Sequence, residues 1–157
     1  VAAHVESVRR IMDPVQSRLI PAHVTLCRNE ELAEATNDTL RARLQNAQAG
    51  PITLRFGPPE RFNGHGMLLG CTAGDHDFRK LREILLGGVS ERLERVHITL
   101  AHPRNPKAPG NVLANASVLE HGITVTFRMV SLIEQEDQGP WKGLETWELV
   151  AARQLRG

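Results

Sequence analysis

The sequence predicts an α+β fold, and three observations carry that prediction. Helical and strand-like apolar spacings alternate along the chain. The order motif strand, helix, strand, strand occurs once in each half. One phrase, His-apolar-Thr-Leu, stands twice, as His23-Val24-Thr25-Leu26 and His97-Ile98-Thr99-Leu100, nearly half the chain apart. Strands interleaved with helices favour antiparallel sheets with the helices packed outside. The 157 residues suffice for one domain with a full core and are too few for two ordinary ones. No linker or low-complexity stretch divides them, so a single domain over residues 1–157 is expected.

The elements follow in order. Val5, Val8, Ile11 and Met12 recur at helical spacing until Asp13-Pro14 stops the helix. The first motif strand is expected at residues 22–27. Asn29 caps the next helix, with Glu30 and Glu31 in its first turn, where the helix dipole favours carboxylates. That helix runs through Leu32, Ala35, Leu40 and Leu44 to Gly50-Pro51. Residues 52–56 and 67–72 read as strands, with Pro58-Pro59 and Asn63-Gly64 as breaks. Residues 75–86 form an amphipathic helix carrying Phe78, Leu81, Ile84 and Leu85 and ending at Gly87-Gly88. The second motif strand is expected at 95–101, followed by a loop with Pro103, Pro106, Pro109 and Gly110. A short helix at 112–119 precedes strands at 123–133 and 144–151, separated by a polar turn through Gly139-Pro140.

Composition narrows the function classes. An apolar fraction of 41% with 24% charged residues is that of a soluble globular protein. No apolar run approaches the roughly 18 residues of a membrane span. The first residues have neither a basic nor an apolar signal region, so a cytoplasmic location is expected. Cys27 and Cys71 both lie in apolar strand-like runs, which predicts buried free thiols in a reducing compartment. No Cys-x-x-Cys or His-Glu-x-x-His spacing supports a zinc site. The net charge of +1, from 19 basic and 18 acidic residues, argues for a small nucleotide or an RNA end over an extended duplex. A monomer without membrane contact is expected.

Alternation along a strand turns His23 and Thr25 to one face and Val24 and Leu26 to the other. The same holds for His97 and Thr99 against Ile98 and Leu100. The apolar pair anchors each strand while imidazole and hydroxyl project from the opposite face. Two such faces turned together would set two histidines and two hydroxyls around one small volume. Histidine, with an ordinary pKa near 6.5, serves as acid or base near neutrality. Opening a cyclic phosphate, or cleaving a 2′-5′ phosphodiester, needs one base for water or a hydroxyl and one acid for the departing ribose oxygen. Thr25 and Thr99 are the expected donors to the non-bridging oxygens, where negative charge grows in the transition state. The scheme requires no metal and no cofactor.

Pro21-Ala22-His23-Val24-Thr25-Leu26 and Val96-His97-Ile98-Thr99-Leu100-Ala101 resemble the two signature motifs of the two-histidine (2H) phosphoesterase superfamily. That superfamily holds the 2′-5′ RNA ligase-like and cyclic phosphodiesterase proteins. Motif separation and chain length fit as well. The resemblance implies two pseudo-symmetric lobes of antiparallel sheet with outer helices and a central cleft, one motif per lobe. It implies His97 as the base for water and His23 as the acid for the leaving oxygen. Two departures stand out. The family opens with a strand ahead of its first helix, and residues 1–3 are too few for one, so a missing or relocated N-terminal segment is expected. The family often has Arg or Tyr where this chain has His102.

Further residues are candidates for substrate contact. Arg28 and His102 stand five residues past each motif histidine. Strict alternation turns them away unless the strands end there; Arg28 would then steer a phosphate and His102 touch a base. Arg104 and Lys107 form a basic lip on the loop after the second motif. Trp141, at a strand start beside Gly139-Pro140, is the candidate platform for a nucleobase, whereas Trp147 lies in an apolar alternation and reads as core. His65 reads as a hairpin-tip residue. The expected activity is hydrolysis of a 2′,3′-cyclic phosphate or a 2′-5′ phosphodiester on a nucleotide or RNA terminus. A non-catalytic RNA- or nucleotide-binding module of the same fold is the alternative, and two ordinary core strands are a third reading.

Overall fold

The computed structural model describes residues 2–32, 34–88 and 95–150. Its class is the expected α+β. Among the described residues four α-helices, α1 (Ala2–Met12), α2 (Pro14–Leu19), α3 (Asn37–Ala47) and α4 (Asp75–Leu86), accompany six strands. β1 (Ile52–Phe62), β2 (Gly66–Ala73), β3 (His97–Ala101) and β4 (Ile123–Phe127) form one antiparallel sheet in the order β3-β2-β1-β4. β5 (Met129–Glu134) and β6 (Lys142–Glu148) pair as a second.

Alternation decides what each strand buries. In β1, Ile52, Leu54 and Phe56 point into the core while Thr53 and Arg55 are exposed. In β3, Ile98 and Leu100 are buried and His97 and Thr99 are half-buried on the other face. β2 lies between β1 and β3 and is covered on both faces from Gly66 to Gly70. The core closes on these strands with Val5, Val8 and Met12 of α1 and Phe78, Leu81 and Leu85 of α4. Each such side chain contributes about 1.5–3 kcal/mol when fully buried. Gly87 ends α4 at a φ of +76°, where an L side chain is strained.

Several expectations are corrected. Pro58-Pro59 does not end the strand at Phe56; β1 continues to Phe62, with a register shift between Phe56 and Pro59 that absorbs residues lacking an N–H. The single strand expected at 123–133 breaks at Arg128, where the chain leaves one sheet for the other, and the Leu149 N–H bonds the Arg128 carbonyl there. β6 ends at Glu148, and Ala151, the expected end of that strand, lies outside the described residues. Ile11, one of the four apolar residues of the helical spacing, is half exposed at 51%. The short helix after the Pro-rich loop is a 3₁₀ helix, Leu113–Leu119.

The most consequential correction concerns the first motif. Residues 22–27 pair with no strand among the described residues. The helix expected from Asn29 is a single 3₁₀ turn, Asn29–Glu31, and α3 begins only at Asn37, capped by Thr36. Both changes share one cause. Glu31 is drawn into a nearly buried ion pair with Arg82 of α4 and accepts the Arg28 N–H at 2.8 Å. Arg82 also donates to the Leu26 carbonyl at 2.5 Å. On the other side, the Glu6 carboxylate of α1 takes the Ala22 N–H, and Arg9 donates to the Ile20 carbonyl at 2.9 Å. Side chains of two helices thus bond the backbone that a β-ladder would otherwise have bonded. Val24 and Leu26 still turn into the core and Thr25 outward, so the alternation survives without the ladder.

Removing one partner of a buried ion pair costs about 3–5 kcal/mol. Arg82→Ala is expected to destabilise the protein on that scale in urea unfolding, and a loss below about 1 kcal/mol would show that the segment is held by other means.

Candidate active site

His97 sits at the start of β3, opposite Gly70 of β2, and Thr99 sits opposite Leu68. Glu60 of β1 is the other neighbour of Leu68, so it shares that face of the sheet. Phe62, two residues on, brings its ring centroid to 6.3 Å from the His97 imidazole. Arg95, two residues before His97, lays its guanidinium against Gly70; a Cβ there would stand 2.1 Å from Nη2. Its Nη1 lies 2.5 Å from Glu60 Oε1, but this carboxylate oxygen has no aligned hydrogen bond among the described residues, so we read the contact as ionic. The face around His97 therefore carries an aromatic ring and an ion pair beside the imidazole.

The two imidazoles are oriented alike. His23 Nδ1 lies 2.8 Å from the Pro21 carbonyl, and His97 Nδ1 lies 2.7 Å from the Arg95 carbonyl, each two residues upstream. A carbonyl only accepts, so each Nδ1 carries the proton and each neutral ring keeps its lone pair on Nε2. Two strand-like segments with different scaffolding thus present histidine in one tautomer. Burial pushes the His23 pKa below its ordinary value, and the charges of Arg9 and His97 act in the same direction. The Pro21 carbonyl and Glu6 oppose them. The effect of the His97 charge on His23 puts the duplicated histidines within electrostatic reach. Thr25 is exposed and Thr99 half-buried.

The candidate substrate contacts come from three segments of the chain. Arg28 is exposed at the entry to the 3₁₀ turn, its N–H on Glu31. Trp141 is exposed, and its N–H bonds the Leu19 carbonyl at 2.9 Å, beside the segment leading into the first motif. Arg104 and Lys107 are exposed on the loop after β3. His102 is half-buried, and its backbone N–H donates to Asp13 Oδ2 at 2.8 Å. Its Nδ1 accepts the Arg104 N–H at 3.2 Å, so its tautomer is opposite to that of the motif histidines. Burial first, and the Arg104 cation second, lower its pKa against the pull of Asp13. His65 occupies the β1–β2 turn as expected, and its Nε2 reaches the Asn105 carbonyl at 2.8 Å.

Sequence reasoning missed Glu6, Arg9, Asp13 and Phe62. Asp13, read only as a helix stop, is buried; it caps α2 through the Gln16 N–H and accepts from Asn105 Nδ2 as well as His102. Phe62 was hidden by reading Pro58-Pro59 as the end of its strand. The cysteines are half-buried free thiols; burial pushes Cys27 up to about 11 and raises Cys71, which leaves neither as a nucleophile at neutral pH. Among the described residues no cluster of three His, Cys, Asp or Glu side chains is placed to hold a metal ion. No described helix is long and apolar enough to cross a membrane.

Antiparallel sheets, outer helices and a duplicated, like-oriented histidine motif define a phosphoesterase-type α+β protein of the two-histidine class. The sequence profile described as the 2′-5′ RNA ligase superfamily matches residues 1–139, and the chain belongs to that family, within the 2H phosphoesterases. No curated protein matches the chain.

Because the His23 and His102 pKa values are both lowered, the unfolded chain binds more protons than the folded protein below the ordinary value of 6.5. Their contribution to stability is complete above about pH 6.5 and is lost as the pH falls through the depressed folded values. The urea midpoint should therefore drop between about pH 7 and pH 5, and His102→Asn should flatten part of that slope. A midpoint that rises on acidification in this window would contradict the assigned shifts.

Proposed function

We propose that the protein is a phosphodiesterase that hydrolyses a 2′,3′-cyclic phosphate or a 2′-5′ phosphodiester of a nucleotide or RNA end, with the acid and base roles divided between His23 and His97. The shared tautomer of the two motif histidines carries this reading. Each spends Nδ1 on its own backbone and offers Nε2, the arrangement needed to pass protons on either side of a phosphorus. In hydrolysis of a 2′,3′-cyclic phosphate one Nε2 takes a proton from water and the water oxygen bonds to phosphorus. The bond from phosphorus to O3′ breaks, and the other imidazole gives its proton to that oxygen, leaving a 2′-phosphate. The Thr25 and Thr99 hydroxyls donate to the non-bridging oxygens. Acid–base work divided between two histidines needs no metal. The superfamily's RNA chemistry favours a nucleotide or RNA terminus as substrate, with Arg28, His102, Arg104 and Trp141 around it.

The lowered pKa of His23 supports one direction of proton transfer. Burial and the Arg9 cation favour its neutral form, which is the form a base requires. We therefore propose His23 as the base and His97 as the acid in hydrolysis, the reverse of the roles that the family resemblance implies. His23→Ala and His97→Ala should each nearly abolish turnover of 2′,3′-cyclic nucleotides with a chelator present. A nitrophenyl phosphodiester needs little help from an acid and should rescue His97→Ala far more than His23→Ala. Rescue of His23→Ala instead would restore the roles the resemblance implies. Full activity in both alanine variants would leave a nucleotide-binding module of the same fold.

The hydroxyls are tested separately. Thr25→Val and Thr99→Val keep shape and β-branching and should each lower turnover by roughly 10- to 1,000-fold without changing the unfolding midpoint. Full activity in both would make the threonines scaffold.

A further inference from the structure

Arg9 lies on the buried stripe of α1, four residues after Val5 and three before Met12, and is 1% exposed. A charge at that place is costly, and an apolar side chain of similar volume would complete the core with less penalty. The cost is visible: Arg9 Nε is buried without a hydrogen-bond partner among the described residues. The rest of the fork is used. Nη1 meets Glu6 Oε2 at 3.0 Å, and Nη2 donates to the Ile20 carbonyl at 2.9 Å. The other Glu6 oxygen takes the Ala22 N–H. One ion pair on one helix therefore holds the peptide groups on both sides of Pro21, whose carbonyl holds His23 Nδ1.

We propose that Glu6 and Arg9 are positioning residues for His23, fixing the backbone from which its imidazole is aimed. This rests on the phosphodiesterase reading for its effect on turnover, though not for its effect on His23 itself. The charged groups that act on His23 are Arg9 and Glu6 from α1 and His97 from β3. The pair therefore does two things at one atom group. The carboxylate and guanidinium set where the imidazole stands, and their opposed charges trim how readily it takes a proton. Lysine at position 9 keeps the charge but cannot reach Glu6 and Ile20 together, because it lacks the planar fork. Glutamine at position 6 keeps the shape and loses the charge.

The test is an NMR titration of the His23 ring in the wild type, Glu6→Gln and Arg9→Lys, beside kcat and KM for a 2′,3′-cyclic nucleotide. Glu6→Gln should lower the His23 midpoint by roughly 0.5–1 pH unit, since a neighbouring negative charge is lost. The acidic limb of kcat/KM should move with it. Arg9→Lys should leave that midpoint within about 0.3 pH unit while cutting kcat by roughly 10- to 100-fold, with KM changed less than about threefold. A His23 midpoint unmoved in Glu6→Gln, or an unchanged kcat in a folded Arg9→Lys protein, would overturn the proposal. Should Arg9→Lys fail to fold, the Glu6→Gln titration alone decides. If the wild type cleaves no phosphodiester while the midpoint shifts as stated, the functional reading fails and the positioning pair stands.

Discussion

The first histidine motif depends on two buried arginines, each paired with a half-buried glutamate. Residues 20–28 run between the helices without a strand partner, and unbonded backbone groups there would each cost on the order of 1–3 kcal/mol. Arg9 and Arg82 donate to the carbonyls of Ile20 and Leu26; Glu6 and Glu31 accept the N–H groups of Ala22 and Arg28. The pattern is nearly symmetric about Val24, with α1 supplying one side and Arg82 of α4 together with Glu31 of the 3₁₀ turn the other. Each guanidinium is held by its carboxylate, so neither charge is buried alone. The helices are thereby more than cover for the sheet: their buried faces place the segment that carries His23 and Thr25.

The second motif reaches the same end by another route. His97 and Thr99 are aimed by the β2–β3 ladder and anchored by Ile98 and Leu100 in the core. Both routes bring an imidazole to a carbonyl two residues upstream and so select one tautomer. One histidine is thus aimed by backbone pairing and the other by side chains that bond its backbone.

Much of this was legible in the sequence, and the misses have a common physical origin. The helix Asp75–Leu86 begins and ends where its apolar spacing and terminal glycines set it, and the duplicated motif marked the two histidines. Local pattern could not show that residues 22–27 lack a ladder, because pairing is a property of neighbours distant in sequence. The signal that was available lay in the helices. Arg9 and Arg82 each stand four residues after a buried apolar residue, Val5 and Phe78, on the stripe that faces inward. A charge at that phase announces a buried partner, and its partner here is the motif backbone. Reading prolines as strand ends concealed Phe62 in the same way, since a bulge lets a strand pass them.

Asp13 has a consequence of its own. One buried carboxylate joins the start of α2 to the loop after β3, while Asn111 donates to the His65 carbonyl and pins that loop at its far end. The stretch between these fixed points carries Arg104 and Lys107 outward. Its charge and outline can be rewritten by substitution while the pins, and the two imidazoles beyond them, keep their places. On the phosphodiesterase reading proposed above, change in this stretch would alter which molecule is accepted before it altered how the phosphate is handled.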